Sequence, residues 1–231
     1  MRSRSLFATL AAAALLLPAS LVAQDGRPGI AVMTFENGGS YGQDSENFDA
    51  LQIGLQQMLI TEFSQNEGLR VVDRSRLRDL MEEQDLGGTG RVDANTAARV
   101  GQLVGARFMV FGSFVDFYGD MRLDVRIVDT ETSEIVRTEN VRDRREQLYS
   151  MVTSLASQIT SNLNLPELPA SVRQAREARD VPAEAIQYYS RALMYADRGD
   201  NDRAVRLFNR AIDVFPEYTE AQEGLRQIEQ G

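Results

Sequence analysis

Two short apolar runs bracket one long amphipathic segment, and that arrangement limits what the chain can fold into. Residues 30–35 (IAVMTF) are apolar almost without a break, the pattern of a buried strand. Residues 69–72 (LRVV) form a second such run. Between them, over 48–66, Leu51, Leu55, Met58, Leu59 and Phe63 recur at helical spacing. Gly68 stands where that helix must stop. Residues 36–47, rich in Gly, Ser and Asn, read as a loop. Strand, helix and strand in this order make a β-α-β unit, whose two strands pair in parallel.

The remaining pattern extends that start. A helix is expected over 75–85, with Leu77, Leu80 and Met81 inward. Gly87, Gly88 and Gly90 break it and make a connector. Asp93 is the expected N-cap of a further helix, which carries Ala97, Val100, Leu103 and Val104 on one side and ends at Gly105. Residues 107–115 are a third strand. In 121–129, Met121, Leu123, Val125 and Ile127 alternate with Arg122, Asp124 and Arg126, so one face of that strand meets water. Residues 134–141 continue the meander, and a helix follows over 144–162. The fold class is therefore α/β: a mixed sheet, parallel at first and antiparallel in its later meander, with covering helices. A small all-α module follows it.

Composition removes most catalytic chemistry. The chain has no His, Cys, Lys or Trp. Nucleophile–imidazole pairs, zinc sites, Schiff bases and lysine-bearing phosphate loops are all excluded. No paired carboxylates have a spacing that fixes a metal or a glycosidase geometry, so no catalytic residue, cofactor or metal is expected. The first 23 residues read as a cleaved export signal, with Arg2 and Arg4 before an apolar stretch that Pro18 ends. The formal charge is −9, and −11 once Arg2 and Arg4 are gone. An acidic chain is a poor ligand for nucleic acid. Without cysteine there is no lipid anchor, and membrane association is expected only through partners.

The expected organisation is a signal peptide at 1–23, an α/β domain at 24–163, a proline-marked linker at 164–182 and a helical module at 183–231. The module resembles a single tetratricopeptide repeat. Ala192, Tyr195, Gly199, Ala204, Phe208, Ala211 and Pro216 fall at that family's spacing, while Arg191 stands where an apolar residue is usual. One repeat cannot bury its own apolar faces. The first domain, a second copy or a partner must cover them.

Candidate binding residues gather where parallel strands end, because that is where an α/β sheet opens a crevice. Glu36 and Asn37 follow the first strand; Asp73 and Arg74 follow the second; Glu83 lies further along the next helix. They either meet a partner there or tie loops together. Tyr188 and Tyr195 are candidates for a peptide groove on the helical module.

Three blocks carry a family resemblance: residues 30–37 (IAVMTFEN), 69–86 (LRVVDRSRLRDLMEEQDL) and 100–114 (VGQLVGARFMVFGSF). In this order the first domain resembles the CsgG family of bacterial envelope proteins. That family is related to the N-terminal domain of TolB and to activators of penicillin-binding proteins. The resemblance implies an exported, periplasmic α/β domain that acts through protein partners, at or near the outer membrane, with self-association left open. It implies a role in secretion or cell-surface assembly, with regulation of a cell-wall synthase or a channel subunit as alternatives. The family's namesake is a lipid-anchored secretion channel; this chain departs from it in lacking both the lipidated cysteine and obvious extra hairpins for a barrel.

Overall fold

The computed structural model describes residues 26–40, 45–83 and 93–230. The expected export signal and the glycine cluster at 87–90 lie outside the described residues. The sheet is built from β1 (Gly29–Val32), β2 (Glu36–Asn37), β3 (Arg70–Val71), β4 (Phe108–Phe117), β5 (Asp120–Asp129) and β6 (Glu134–Arg144). The strand order is β3-β1-β4-β5-β6, with β2 alongside β4. β1 pairs in parallel with β3 and β4, and the β4-β5-β6 meander is antiparallel. The mixed sheet expected from the sequence is therefore present.

Two details of the expectation need correction. The last strand runs on to Arg144, so the helix expected from 144 starts at Leu148. The run 30–35 is not one strand, and Glu36–Asn37 is not loop. The chain leaves the sheet after β1 and rejoins it at β2, which pairs with Ser113 and Phe114 of β4. Between the two, Phe35 swings beneath Gly112. A Cβ added at Gly112 would lie 2.3 Å from the Phe35 ring. The absence of a side chain in β4 thus makes room for a fully buried phenyl ring at the break.

Helices cover one face along the sheet and the other at its parallel end. α1 (Ser45–Ser64), beside β1 and β3, and α4 (Leu148–Asn162), beside β6, lie on the first face. There Leu55, Leu59 and Leu155 meet Phe114, Leu123 and Ile127. α2 (Arg74–Glu83) and α3 (Ala94–Val104) lie on the other, where Leu77, Val100 and Val104 meet Ala31, Met109 and Val128. α3 begins as expected: Asp93 accepts from the amides of Asn95 and Thr96 at 2.9 and 3.0 Å, and Gly105 ends the helix with φ 70°. Over the antiparallel end this second face is more open, and Arg122, Asp124 and Arg126 alternate there with core residues.

The C-terminal part is all helix: α5 (Ala170–Glu177), α6 (Ala183–Asp197), α7 (Asn201–Val214) and α8 (Thr219–Gln230). Gly199, at φ 75°, makes the turn between α6 and α7. Ala192, Ala204 and Ala211 are fully buried in the seam, and Phe208 fills it. The question of what covers the module's remaining apolar face has a plain answer: α1 does. One apolar cluster runs from Ile30 in β1 to Ala221 in α8. The segment between α4 and α6 is packed as well, with Leu165, Arg176 and Val181 buried.

The joint between α1 and α6 depends on Gly54. A Cβ there would lie 1.9 Å from Oγ of Ser190, a fully buried side chain that donates to the Ile186 carbonyl at 2.7 Å. Gly54→Val is expected to lower the unfolding free energy by about 1–3 kcal/mol, with Ser190→Gly recovering part of the loss. Urea titration of the single and double variants checks both.

Candidate functional site

A cleft of about 450 Å³ opens at the carboxyl end of β1. Three structural facts shape it. The chain leaves the sheet at Met33–Phe35, so its floor is the gap between β1 and β2 together with Phe111 of β4. α1 supplies one wall through Gln52, Ile53 and Gln56. α2 supplies the other through Arg74, Leu77, Arg78, Met81 and Glu82, and the end of α6 closes it with Asp197.

Its polar groups are held firmly. Gln56, buried among the apolar residues of α1, donates from Nε2 to the Val32 carbonyl at 2.8 Å. Its Oε1 accepts from Oγ1 of Thr34 at 3.0 Å. The first of these bonds satisfies the Val32 carbonyl where the strand breaks, and the second fixes the amide that makes it. Asp197 is the last residue of α6, an unfavourable place for an acid because carbonyl oxygens point towards it. Two guanidinium groups offset this. Arg74 donates to its Oδ2, and Arg78 donates to its Oδ1 at 2.7 Å. Arg74 also reaches Oε1 of Gln57 at 3.4 Å. The cleft is thus fastened across the line where the helical module meets the sheet.

The sequence-derived candidates separate cleanly. Glu36 and Arg74 line this cleft together. Glu36 also borders a second hollow, of about 560 Å³, on the open sheet face beside Ser113, Arg122 and Arg126. Asn37 serves its own loop: its Oδ1 accepts from the amides of Gly39 and Ser40. Asp73 and Glu83 are exposed and stand outside the cleft lining. Tyr188 and Tyr195 do not come together in a groove with these residues. Tyr188 lies under the Arg210 guanidinium, 5.5 Å from ring centre to cation. Tyr195 donates to Oε1 of Glu46 at 2.6 Å.

Arg191 of α6 pairs with the same Glu46 at 3.4 Å. The Tyr195 hydroxyl, with help from Arg191, holds the Glu46 carboxyl below its usual range. Position 191 is charged because it faces the N-terminal turn of α1.

Sequence reasoning missed Asp197, Gln56, Ile53 and Phe111. Asp197 had no local signal, since its partner Arg74 is 123 residues away. Gln56 did have one: an amide set between Leu55 and Met58 among apolar residues.

Chemically the cleft has an apolar floor of Met33 and Phe111, apolar patches on its walls from Ile53 and Met81, and a rim of both charges. Its one hydroxyl, on Thr34, is engaged with Gln56, and Asp197 is held by Arg74 and Arg78. Among the described residues, no three or more acidic side chains converge as a metal site. The arrangement suits an apolar side chain presented by a protein segment, with charged neighbours to set its orientation.

The family model of the curli production assembly/transport component CsgG matches residues 13–122. The match stops inside β5. Among solved structures, the chain is similar to the LpoB C-terminal domain from Salmonella enterica, with 16% identity over 52% of this chain and 87% of that one, and a TM-score of 0.40. It is similar to lipoprotein GNA1162 from Neisseria meningitidis, with 14% identity over 58% of this chain and 98% of that one, and a TM-score of 0.41. It is also similar to a PelC dodecamer from Paraburkholderia phytofirmans, with 14% identity, 61% and 90% coverage, and a TM-score of 0.33. No curated protein matches.

Proposed function

We propose that this chain is a non-enzymatic protein of the bacterial cell envelope that works by binding protein partners, and that the cleft between α1, α2 and the end of α6 is where a partner engages. The cleft carries this reading: an apolar floor, a rim of both charges, and walls drawn from both the CsgG-like part and the helical module. The lack of His, Cys and Lys and the CsgG-family match support the non-catalytic and envelope parts of it. Export to the periplasm, a two-domain organisation and a tetratricopeptide-type origin for α6 and α7 belong to the same proposal.

Among the finer roles, regulation of an envelope enzyme such as a cell-wall synthase fits better than a pore subunit or a scaffold closed through the repeat. Those two need surfaces that are already engaged. β4, β5 and β6 build the sheet, and the inner face of α6 lies on α1.

The test is capture from envelope extract. Met81→Glu puts a charge on the apolar part of the α2 wall at a half-buried position. A hot-spot substitution of this kind is expected to weaken capture of a specific partner by roughly thirtyfold, while leaving the circular dichroism spectrum unchanged. An identical set of captured proteins, at equal yield, would remove the cleft from the account.

A further inference from the structure

The sheet ends at β6, and this edge is long. It runs for eleven residues, while the opposite edge, β3, has two. Such an edge carries a row of outward-facing backbone donors and acceptors that a further strand can pair with. Proteins commonly guard an edge with charges, and β6 has several. Their order, however, makes the edge complementary to itself.

A bulge sets the usable length. The register with β5 passes from Ile127↔Arg137 to Val128↔Ile135, so Val136 is the extra residue. From Arg137 to Arg144 the strand is regular. Two copies related by a two-fold axis normal to the sheet would run antiparallel and keep each face on its own side. Residues equally distant from the axis then stand opposite each other.

Each residue from Arg137 to Arg144 can be tried as the centre. Centring on Arg137, Glu139, Arg142, Asp143 or Arg144 sets that charge against its own copy. Centring on Val141 sets Glu139 against Asp143. Like charges directly opposite are destabilising. Only Thr138 and Asn140 avoid this, and Asn140 pairs the longer regular stretch. In that register Arg137 meets Asp143 twice, Thr138 meets Arg142, and Glu139 meets Val141.

The two charges that would pair are available. Arg137 and Asp143 are both exposed. Among the described residues the Arg137 side chain donates only to the neighbouring Val136 carbonyl, and the Asp143 carboxylate accepts only from the neighbouring Arg144 amide. Neither forms an ion pair among the described residues.

We infer that the chain self-associates through β6, as a two-fold antiparallel strand pair centred on Asn140 that joins two sheets into one. No residue from Arg137 to Arg144 lines the cleft, so the dimer and the partner site stand or fall separately.

Light scattering on the whole purified chain across micromolar concentrations tests this. The wild type is expected to be a dimer. Arg137→Asp replaces two attractive pairs by two repulsive ones and should raise the dimer dissociation constant by about tenfold or more. Asp143→Arg should do the same. The swap Arg137→Asp/Asp143→Arg restores opposite charges and should return the constant to within about threefold of wild type. Circular dichroism should not distinguish the variants, because both side chains are at the surface. A chain that is monomeric throughout, a dimer indifferent to Arg137→Asp, or a double variant that fails to recover would each overturn the inference.

Discussion

Phe208→Ala is expected to lower the stability of the entire chain by about 3–5 kcal/mol, and not merely to loosen its last three helices. Phe208 is fully buried in the seam of α6 and α7. Its ring lies 6.0 Å from that of Tyr189 and packs so closely on α8 that a Cβ at Gly224 would be 2.5 Å from it. Removing it leaves a cavity that small neighbours such as Ala192, Ala204 and Ala211 cannot fill. The apolar cluster containing Phe208 is continuous with the one under the sheet, so the loss should be felt throughout. Urea unfolding followed by far-ultraviolet circular dichroism should keep one transition, displaced to lower urea. A split into two transitions, with the upper one unmoved, would mean that the helical part folds on its own account.

The second large effect is one of pH. Glu62 of α1 and Arg176 of α5 meet at 3.2 Å with almost no exposure. Arg176 also donates to the Thr153 carbonyl at 2.6 Å and to Oγ of Ser157. Loss of hydration pushes the Glu62 carboxyl up to about 7; Arg176 and Arg179 oppose that rise, and Glu220 adds to it. In the unfolded chain the group returns to an ordinary value near 4.5. Between these values the folded state holds a proton that the unfolded state has released. The stabilisation is therefore complete below about pH 4.5 and is lost as the pH rises through 7. The span amounts to about 3 kcal/mol. Glu62→Gln should remove most of this slope and leave stability at pH 5 close to wild type. A wild-type stability that rises from pH 5 to pH 7.5 in step with the variant would contradict it.

Much of the fold was legible because it is written in short-range pattern. The alternation of Met121, Leu123, Val125 and Ile127 with Arg122, Asp124 and Arg126 assigns β5 and its faces directly. Asp93 and Gly105 mark the ends of α3 by local hydrogen bonding alone. The break between β1 and β2 was not legible. It depends on Phe35 finding a missing side chain at Gly112, which is 77 positions along the chain. The site divided in the same way. Glu36 and Arg74 could be placed together because strand ends determine where they lie. Asp197 could not, because it reaches the cleft only once α6 has docked on α1. The same holds for Arg191, whose half-buried charge meets Glu46 only where α6 lies on α1.

Native-state hydrogen exchange through α1 and α6, repeated at rising sub-denaturing urea, bears most directly on the claim that one core joins sheet and helical module. The amides of Leu55 and Leu59 and those of Ala192 and Leu193 should converge on a single opening, with the same free energy and the same urea dependence. If the α6 amides exchange through a cheaper opening while those of α1 stay protected, the module is only resting on the sheet. The cleft between them would then have no fixed walls.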